Sequence, residues 1–277
     1  MARYAARVLN AFFDSDMVLG VAWGRTVSAV SHHLLPKATR NGRVVQLNGA
    51  GNPQTTGVEY ASEILRRFGT AYRATVEQFA VPTFFDFEET KRALWRERSV
   101  QRVLALQQRA DVVLFGIGTA GARVPGHVYR AGYLEPADLD ALAADGVVGD
   151  VATVFLRRDG TWRDVPLNAR SSGPDLAELA AVPERLCVVF EAARVTALRA
   201  AIAAGLVSQL VIDEASAGAL LALPDLPARP EPTAAPTAAP ATAPATAPAT
   251  APQPKPASTR PTAAHPCSCG GRTSRQP

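Results

Sequence analysis

The chain of 277 residues is poor in sulfur, with three cysteines (Cys187, Cys267 and Cys269) and two methionines. Three cysteines do not make a disulfide framework, which excludes the small stapled secreted scaffolds. Cys187 lies in the apolar run "RLCVVF" and reads as a buried core thiol. No apolar run approaches the roughly 20 residues of a membrane-spanning helix. No secretory leader is visible, because "MARYAARVLNAFF" is followed at once by acidic residues and offers no small-residue cleavage pattern. The expected setting is therefore a bacterial-type cytoplasm, with no membrane partner. Net charge is scarce as well. The formal charge is +4, yet residues 1–223 hold 24 basic against 23 acidic residues. A nucleic-acid-binding body carries a basic excess on one face, so direct DNA binding is not expected of these residues. Nor can a Ser-His-Asp, Cys-His or paired-carboxylate constellation be singled out. His32 and His33 both fall in a helical pattern, and no catalytic residue is assigned.

Proline is distributed unevenly. Residues 224–277 hold 14 of the 22 prolines, which recur every four residues from 232 to 252. With so little apolar side-chain area, this Ala/Pro/Thr-rich segment reads as a disordered, semi-rigid tail. Its His265, Cys267 and Cys269 stand too close together for usual zinc spacing, and no metal or cofactor is expected. Residues 1–223 are apolar enough to fold as one domain, burying on the order of 70% of the unfolded chain's surface.

Within that domain, near-continuous Val/Leu/Ile runs alternate with helix-period segments. Strands are expected at 17–23, 43–49, 75–81, 111–118, 185–191 and 209–214. Helices are expected at 26–35, 57–68, 88–109, 136–144, 193–204 and 215–222. Strands apolar on both faces and separated by helices imply an open, doubly wound, mostly parallel α/β sheet. The stretch 147–163 differs: "TVFLRR" before "DGTW" predicts an antiparallel hairpin turning at Asp159-Gly160.

In such sheets a ligand sits beyond the carboxyl ends of the strands, at a topological switch point. Here three of those ends are glycine-rich, "GVAWGRT", "QLNGAGN" and "GIGTAGA", and glycine permits close backbone approach to a ligand. Gly24-Arg25-Thr26 opens a helix, where an anion is stabilised; Thr26 either caps that helix or offers its hydroxyl to a phosphate. The segment lacks the lysine of a P-loop and the spacing of a dinucleotide fingerprint. "GIGTAG", Gly116 to Gly121, reads equally as a tight turn or as a binding loop. Asp150 in "VVGD" accepts sugar hydroxyls or caps a turn. Asp213-Glu214 stands at a strand end, as a helix cap or a ligand contact.

Together these stretches resemble the sugar-binding domain of the SorC/DeoR family of bacterial transcriptional regulators. "VLGVAWGRT" resembles that family's "VVGVGWGRT", "VVQLNGAG" its "VVQLNGG", and "ADVVLFGIGT" its "ADVALLGIGT". "GYLEPADLDALAADGVVGDV", "LNARSSGPDLAELAAVP" and "ALRAAIAAGLVSQLVIDEASAGALL" follow in the family's order, so the resemblance spans about residues 1–222. It implies a fold similar to the glucosamine-6-phosphate deaminase and ribose-5-phosphate isomerase group, and a sugar or sugar-phosphate effector. On matching positions, Gly24, Arg25 and Thr26 would hold the phosphate. Asn48, Gly49, Gly116, Gly118 and Thr119 would line the crevice, and Asp150 would meet sugar hydroxyls.

Two departures concern the effector site. The family's lysine at a helix entry is Arg194 here, cationic but unable to form a Schiff base under ordinary conditions, and its "TDE" becomes Ile212-Asp213-Glu214. Members also carry an N-terminal helix-turn-helix, for which residue 1, read as already in the first helix, leaves no room: either the start is misplaced, or the module is truncated, or it works without touching DNA itself. The expectation is a non-catalytic effector sensor without its own DNA-binding element, and a homo-oligomer. The alternatives are a sugar-phosphate isomerase or deaminase, and a decayed remnant of a regulator.

Overall fold

The computed structural model describes residues 1–130 and 132–224. Apart from Pro224, the segment expected to be a disordered tail, with His265, Cys267 and Cys269, lies outside the described residues.

Six strands form a parallel sheet in the order β3 (Thr75–Glu77), β2 (Arg43–Gln46), β1 (Val18–Val21), β4 (Val112–Gly118), β7 (Glu184–Val189), β8 (Gln209–Ile212). The chain winds outward one way from β1 and the other way from β4. The switch point therefore lies between these two neighbours. Each falls on one of the six expected runs, shortened at one or both ends, with β7 beginning one residue early at Glu184.

Why these runs are apolar throughout follows from the period of two. Along β4, Val112 and Leu114 enter one core while Val113 and Phe115 enter the other. Along β7, Leu186 and Val188 face the first, Cys187 and Val189 the second. The first core is closed by α1 (Ala2–Phe12), α2 (Arg25–Ser31) and α3 (Val58–Tyr72), through Leu9, Val27, Ile64, Leu65 and Phe68. The second is closed by α5 (Arg98–Gln107), α7 (Leu176–Ala181) and α8 (Val195–Ala203), through Val103, Leu106, Leu179 and Leu198. Both faces being covered, every second residue finds a dry partner. Each fully buried Val, Leu or Phe contributes about 1.5–3 kcal/mol relative to exposure.

The chain departs from expectation at two points. The single helix expected over 88–109 is two, α4 (Glu88–Leu94) and α5: the chain leaves the helical path at Glu97, extended at φ −68° and ψ 136°, just after Trp95, whose ring meets Phe79 and Phe85 edge-on, each at 5.6 Å between centroids. The antiparallel hairpin is real but turns elsewhere. β5 (Val147–Val151) and β6 (Val154–Arg157) are joined at Ala152-Thr153, with φ of 47° and 69°, not at Asp159-Gly160. Asp159-Gly160 makes a separate turn beyond β6, where the Gly160 N–H donates to the Arg157 carbonyl and no paired strand follows. Two positive-φ residues make a type I′-like turn, and Ala-Thr lacks the Asn-Gly signature that announces one. The conformation is imposed by neighbours: the Thr153 N–H donates to the Asp150 carboxylate at 3.1 Å, and the Ser171 hydroxyl donates to the Thr153 carbonyl at 2.8 Å.

The hairpin joins the sheet through the last residues of β4, where Ile117 and Gly118 pair antiparallel with Val151 and Asp150. The expected helix over 136–144 is α6 (Pro136–Ala144), packed beside β5; α9 (Glu214–Leu221) closes the described chain.

Candidate functional site

At the switch point the carboxyl ends of β1 and β4, the hairpin turn and the turn after β7 enclose a cleft. It is narrow and partly open to solvent. Gly24, Arg25, Thr26, Asn48, Gly116, Gly118, Asp150 and Arg194 all line it. Gly49, Thr119 and Asp213 are not among the lining residues. The Gly49 carbonyl instead accepts from Trp23 Nε1 and Thr83 Oγ1, and Thr119 Oγ1 donates to the Val148 carbonyl at 3.0 Å. Asp213 caps α9, accepting from the Ser216 N–H, and also accepts from the Glu191 N–H.

The wall from β1 begins where its pairing stops. Gly24, with φ at 150°, turns the chain and is the N-cap residue of α2, so Thr26 is not the cap. Thr26 instead packs against Gly116, where an added Cβ would stand 3.2 Å from its own. Opposite, β4 and β5 cross so closely that a Cβ on Gly118 would fall 1.8 Å from Asp150 Oδ1. Only glycine lets that carboxylate occupy its place.

Asp150 is 6% exposed. Its Oδ2 accepts from Thr153, while Oδ1 has no hydrogen-bond partner among the described residues. The Tyr129 phenol interacts with this carboxyl, but the two make no hydrogen bond of normal geometry. Burial pushes the Asp150 carboxyl up to about 6, against the opposing pull of Thr153, Tyr129 and the Arg194 charge. Asn48, 1% exposed, leaves both polar atoms of its side chain unpartnered in the same wall. A buried polar group left unsatisfied costs about 1–3 kcal/mol, so these atoms are set for something other than stability.

Two guanidinium groups face them. Arg194 is 8% exposed, and donates to the Ile117 carbonyl at 2.6 Å and the Val124 carbonyl at 3.0 Å. Its Nε lies 3.7 Å from Glu191 Oε2. Arg25, from the other wall, reaches the same Val124 carbonyl at 3.4 Å. The 119–126 loop is thus held by cations from both sides and closed at its base by the Gly126 N–H on the Thr119 carbonyl. Backbone strain gathers here too, with Ala152, Thr153 and Glu191 at φ of 47°, 69° and 89°. Such conformations cost about 1–3 kcal/mol each and concentrate at functional sites.

Trp23, inside "GVAWGRT", and His127 also line the cleft, and neither was assigned a role from the sequence. Trp23 donates its indole N–H to the Asn48 and Gly49 carbonyls, fixing the β2 loop. His127 stands on a short 3₁₀ turn, His127–Tyr129, that no periodicity announces. A larger groove lies between 50–56 and 78–87, lined by Phe79, Phe84, Phe85 and Phe87. Asp86 is its one formally charged lining residue, and none of the orphaned polar atoms belongs to it. Among the described residues no helix is long and apolar enough to cross a membrane, and no group of three His, Cys, Asp or Glu could hold a metal ion.

Comparison with known proteins supplies the family. The profile of the Sugar-bind family, described as "Putative sugar-binding domain", matches residues 1–222. The chain belongs to this family. A crystal structure of a domain of a possible sugar-binding transcriptional regulator from Arthrobacter aurescens is 54% identical, with a TM-score of 0.75 over 79% of this chain and 84% of that one. The Deoxyribonucleoside regulator of Bacillus subtilis is 26% identical over 221 residues, 80% of this chain and 69% of that protein. The full-length Sorbitol Operon Regulator SorC of Klebsiella pneumoniae shares the fold at 17% identity, with a TM-score of 0.73 over 79% of this chain and 71% of that one. These Sugar-bind relatives are transcriptional regulators of the SorC/DeoR type, as the resemblance implied. This chain spans about two thirds of the length of the curated ones, from 64% to 69% of the first five.

Proposed function

We propose that the cleft binds a phosphorylated sugar, and that its occupancy is sensed rather than transformed. One observation carries this reading: Arg25 and Arg194 approach from opposite walls while the Asp150 Oδ1 and Asn48 side-chain atoms stand unpartnered beside them. Guanidinium forks suit a phosphoryl group, a carboxylate oxygen accepts sugar hydroxyls, and an amide does either. Gly24 leaves open space for the ligand to approach the backbone, while Gly116 and Gly118 make room for Thr26 and the Asp150 carboxylate. Gly49, Thr119 and Asp213 support the walls from behind. Relatives that are regulators named for deoxyribonucleosides and for erythritol catabolism support an effector of carbohydrate type.

The mechanism is a population shift, the ligand binding one arrangement of the protein better than another, in a cytoplasmic homo-oligomer. The balanced charge of residues 1–223 supports a body that does not itself read DNA.

A second reading has one observation in its favour. A carboxyl titrating near 6 in a cleft, as Asp150 does, suits a general base, and the sugar-phosphate isomerases and deaminases need one. Thermal denaturation of the purified chain with a panel of sugar phosphates, alongside assays for product, separates the two. Stabilisation with the ligand recovered intact is the expected result. Turnover would overturn the sensor reading, and no response to any ligand would favour a remnant without an effector.

A further inference from the structure

His127 lines the cleft beside Gly24 and Arg25, yet the reading above gives it no role. Its ring is fixed from three sides. It stacks on Tyr60 at 5.0 Å with planes 13° apart, meets Trp23 edge-on at 5.7 Å, and tilts against Tyr133 at 5.6 Å. Neither ring nitrogen hydrogen-bonds to another described residue.

The charged groups that face it are Arg25 from α2 and Arg130 from the residue after its own turn; no carboxylate is among them. The titratable neighbours from other elements are two phenols. Tyr60 of α3 is pushed up by burial, and Tyr133 is pushed up to about 12, so both are uncharged near neutral pH. Burial and the two guanidinium groups all disfavour the imidazolium form and hold His127 below its ordinary range. An anion seated beside Arg25 reverses that local field, because it puts negative charge where His127 otherwise meets only positive.

We propose that His127 is a proton-coupled ligand of the anion end of the cleft, neutral when the cleft is empty and protonated when a dianionic phosphoryl group is bound. This rests on the reading that the cleft takes a phosphorylated ligand, and it narrows the class. Phosphate monoesters, dianionic near neutral pH, are favoured over phosphodiesters, carboxylates and unphosphorylated sugars. The proton comes from solvent on binding and returns to it on release, and no bond of the ligand changes. The Tyr60 stack and the Trp23 edge contact hold the plane of the ring.

Asp150, raised to about 6, also titrates in this cleft, so the pH dependence of affinity does not by itself isolate His127. The decisive measurement reads the ring: imidazole NMR titrations of the full chain with sulfate, a dianion over the whole pH range, and with nitrate at matched ionic strength. The His127 signal is identified by its absence in His127→Gln or, if that variant does not fold, by its contacts with the Tyr60 and Trp23 rings. Sulfate, and not nitrate, is expected to raise the His127 midpoint by at least one unit. By linkage that makes sulfate binding about tenfold tighter below the midpoint than above it. In an Asp150→Asn background the pH dependence should persist, and adding His127→Gln should remove it while sulfate still binds. An unmoved midpoint, with sulfate still stabilising the protein through Arg25, would overturn the role of His127 and leave the cleft reading standing. An equal shift in nitrate would overturn it as a general salt effect. If neither sulfate nor any sugar phosphate stabilised the protein, the cleft reading itself would fail, and this inference with it.

Discussion

The two halves of β4 obey different rules. From Val112 to Phe115 the strand pairs in parallel with β7, and over Val112 to Leu114 also with β1; its side chains are fully enclosed by apolar neighbours. From Gly116 to Gly118 it carries two glycines, exchanges its parallel partner for an antiparallel one at Ile117, and passes an orphaned carboxylate oxygen. The first half is organised for stability and the second departs from it in almost every respect. The contrast locates function: unsatisfied polar atoms and strained backbone persist only where the surrounding fold supports them.

The sharpest way to break the contrast is to damage the stable half. Phe115→Ala empties a fully buried position and is expected to lower unfolding free energy by about 3–5 kcal/mol, measured by urea denaturation. A loss below about 1 kcal/mol would mean that the core can collapse around it. Next comes the other half, with the opposite sign. The Asp150 carboxyl is raised from 3.8 to about 6, so the folded state binds its proton more tightly than the unfolded chain does. Its stabilising contribution is complete below pH 4 and is lost as pH rises through 6. Asp150→Asn, which keeps an acceptor for Thr153, should therefore be more stable than the parent near pH 7 by up to about 3 kcal/mol and lose its response to sugar phosphates. The gap between the two proteins should widen from pH 4 to 6 and then level. A gap independent of pH would refute the assignment.

Smaller effects sharpen the picture. Asp213→Ala removes the α9 cap and is expected to lower stability by about 1 kcal/mol while leaving ligand stabilisation in place. Loss of the ligand response instead would move Asp213 into the binding machinery. Arg25→Ala combined with Thr26→Ala touches neither core nor cap. Stability should change within about 0.5 kcal/mol, yet stabilisation by phosphorylated ligands should vanish. If that response survived, the phosphate would have to be held elsewhere.

Much of this was legible before the structure, for identifiable reasons. Strands covered on both faces need unbroken apolar runs, which made β1, β4 and β7 visible. Backbone approaching a cleft needs glycine, which marked Gly24, Gly116 and Gly118. What stayed hidden depends on tertiary contact. Ala152-Thr153 forms its turn because Asp150 and Ser171 hold it, and neither residue of the pair signals a turn. The helix over 88–109 breaks at Glu97, next to a Trp95 ring held by Phe79 and Phe85, and no breaker residue marks the spot. His127 enters the cleft through ring stacking with Tyr60, distant in sequence. Gly49 read as a binding glycine, but an added Cβ would strike the Val81 and Pro82 carbonyls, so packing alone requires it.

The change of partner within β4 has a kinetic consequence. Gly116 pairs with β7 and its immediate neighbour Ile117 with β5, so the hydrogen-bonded ladder changes hands between adjacent residues, and we expect the hairpin to open separately from the parallel sheet. Amide hydrogens of β5 and β6 should exchange with solvent through excursions that leave β1, β2 and β7 protected. One continuous strand then carries two exchange clocks, with the boundary between them falling on a single peptide bond.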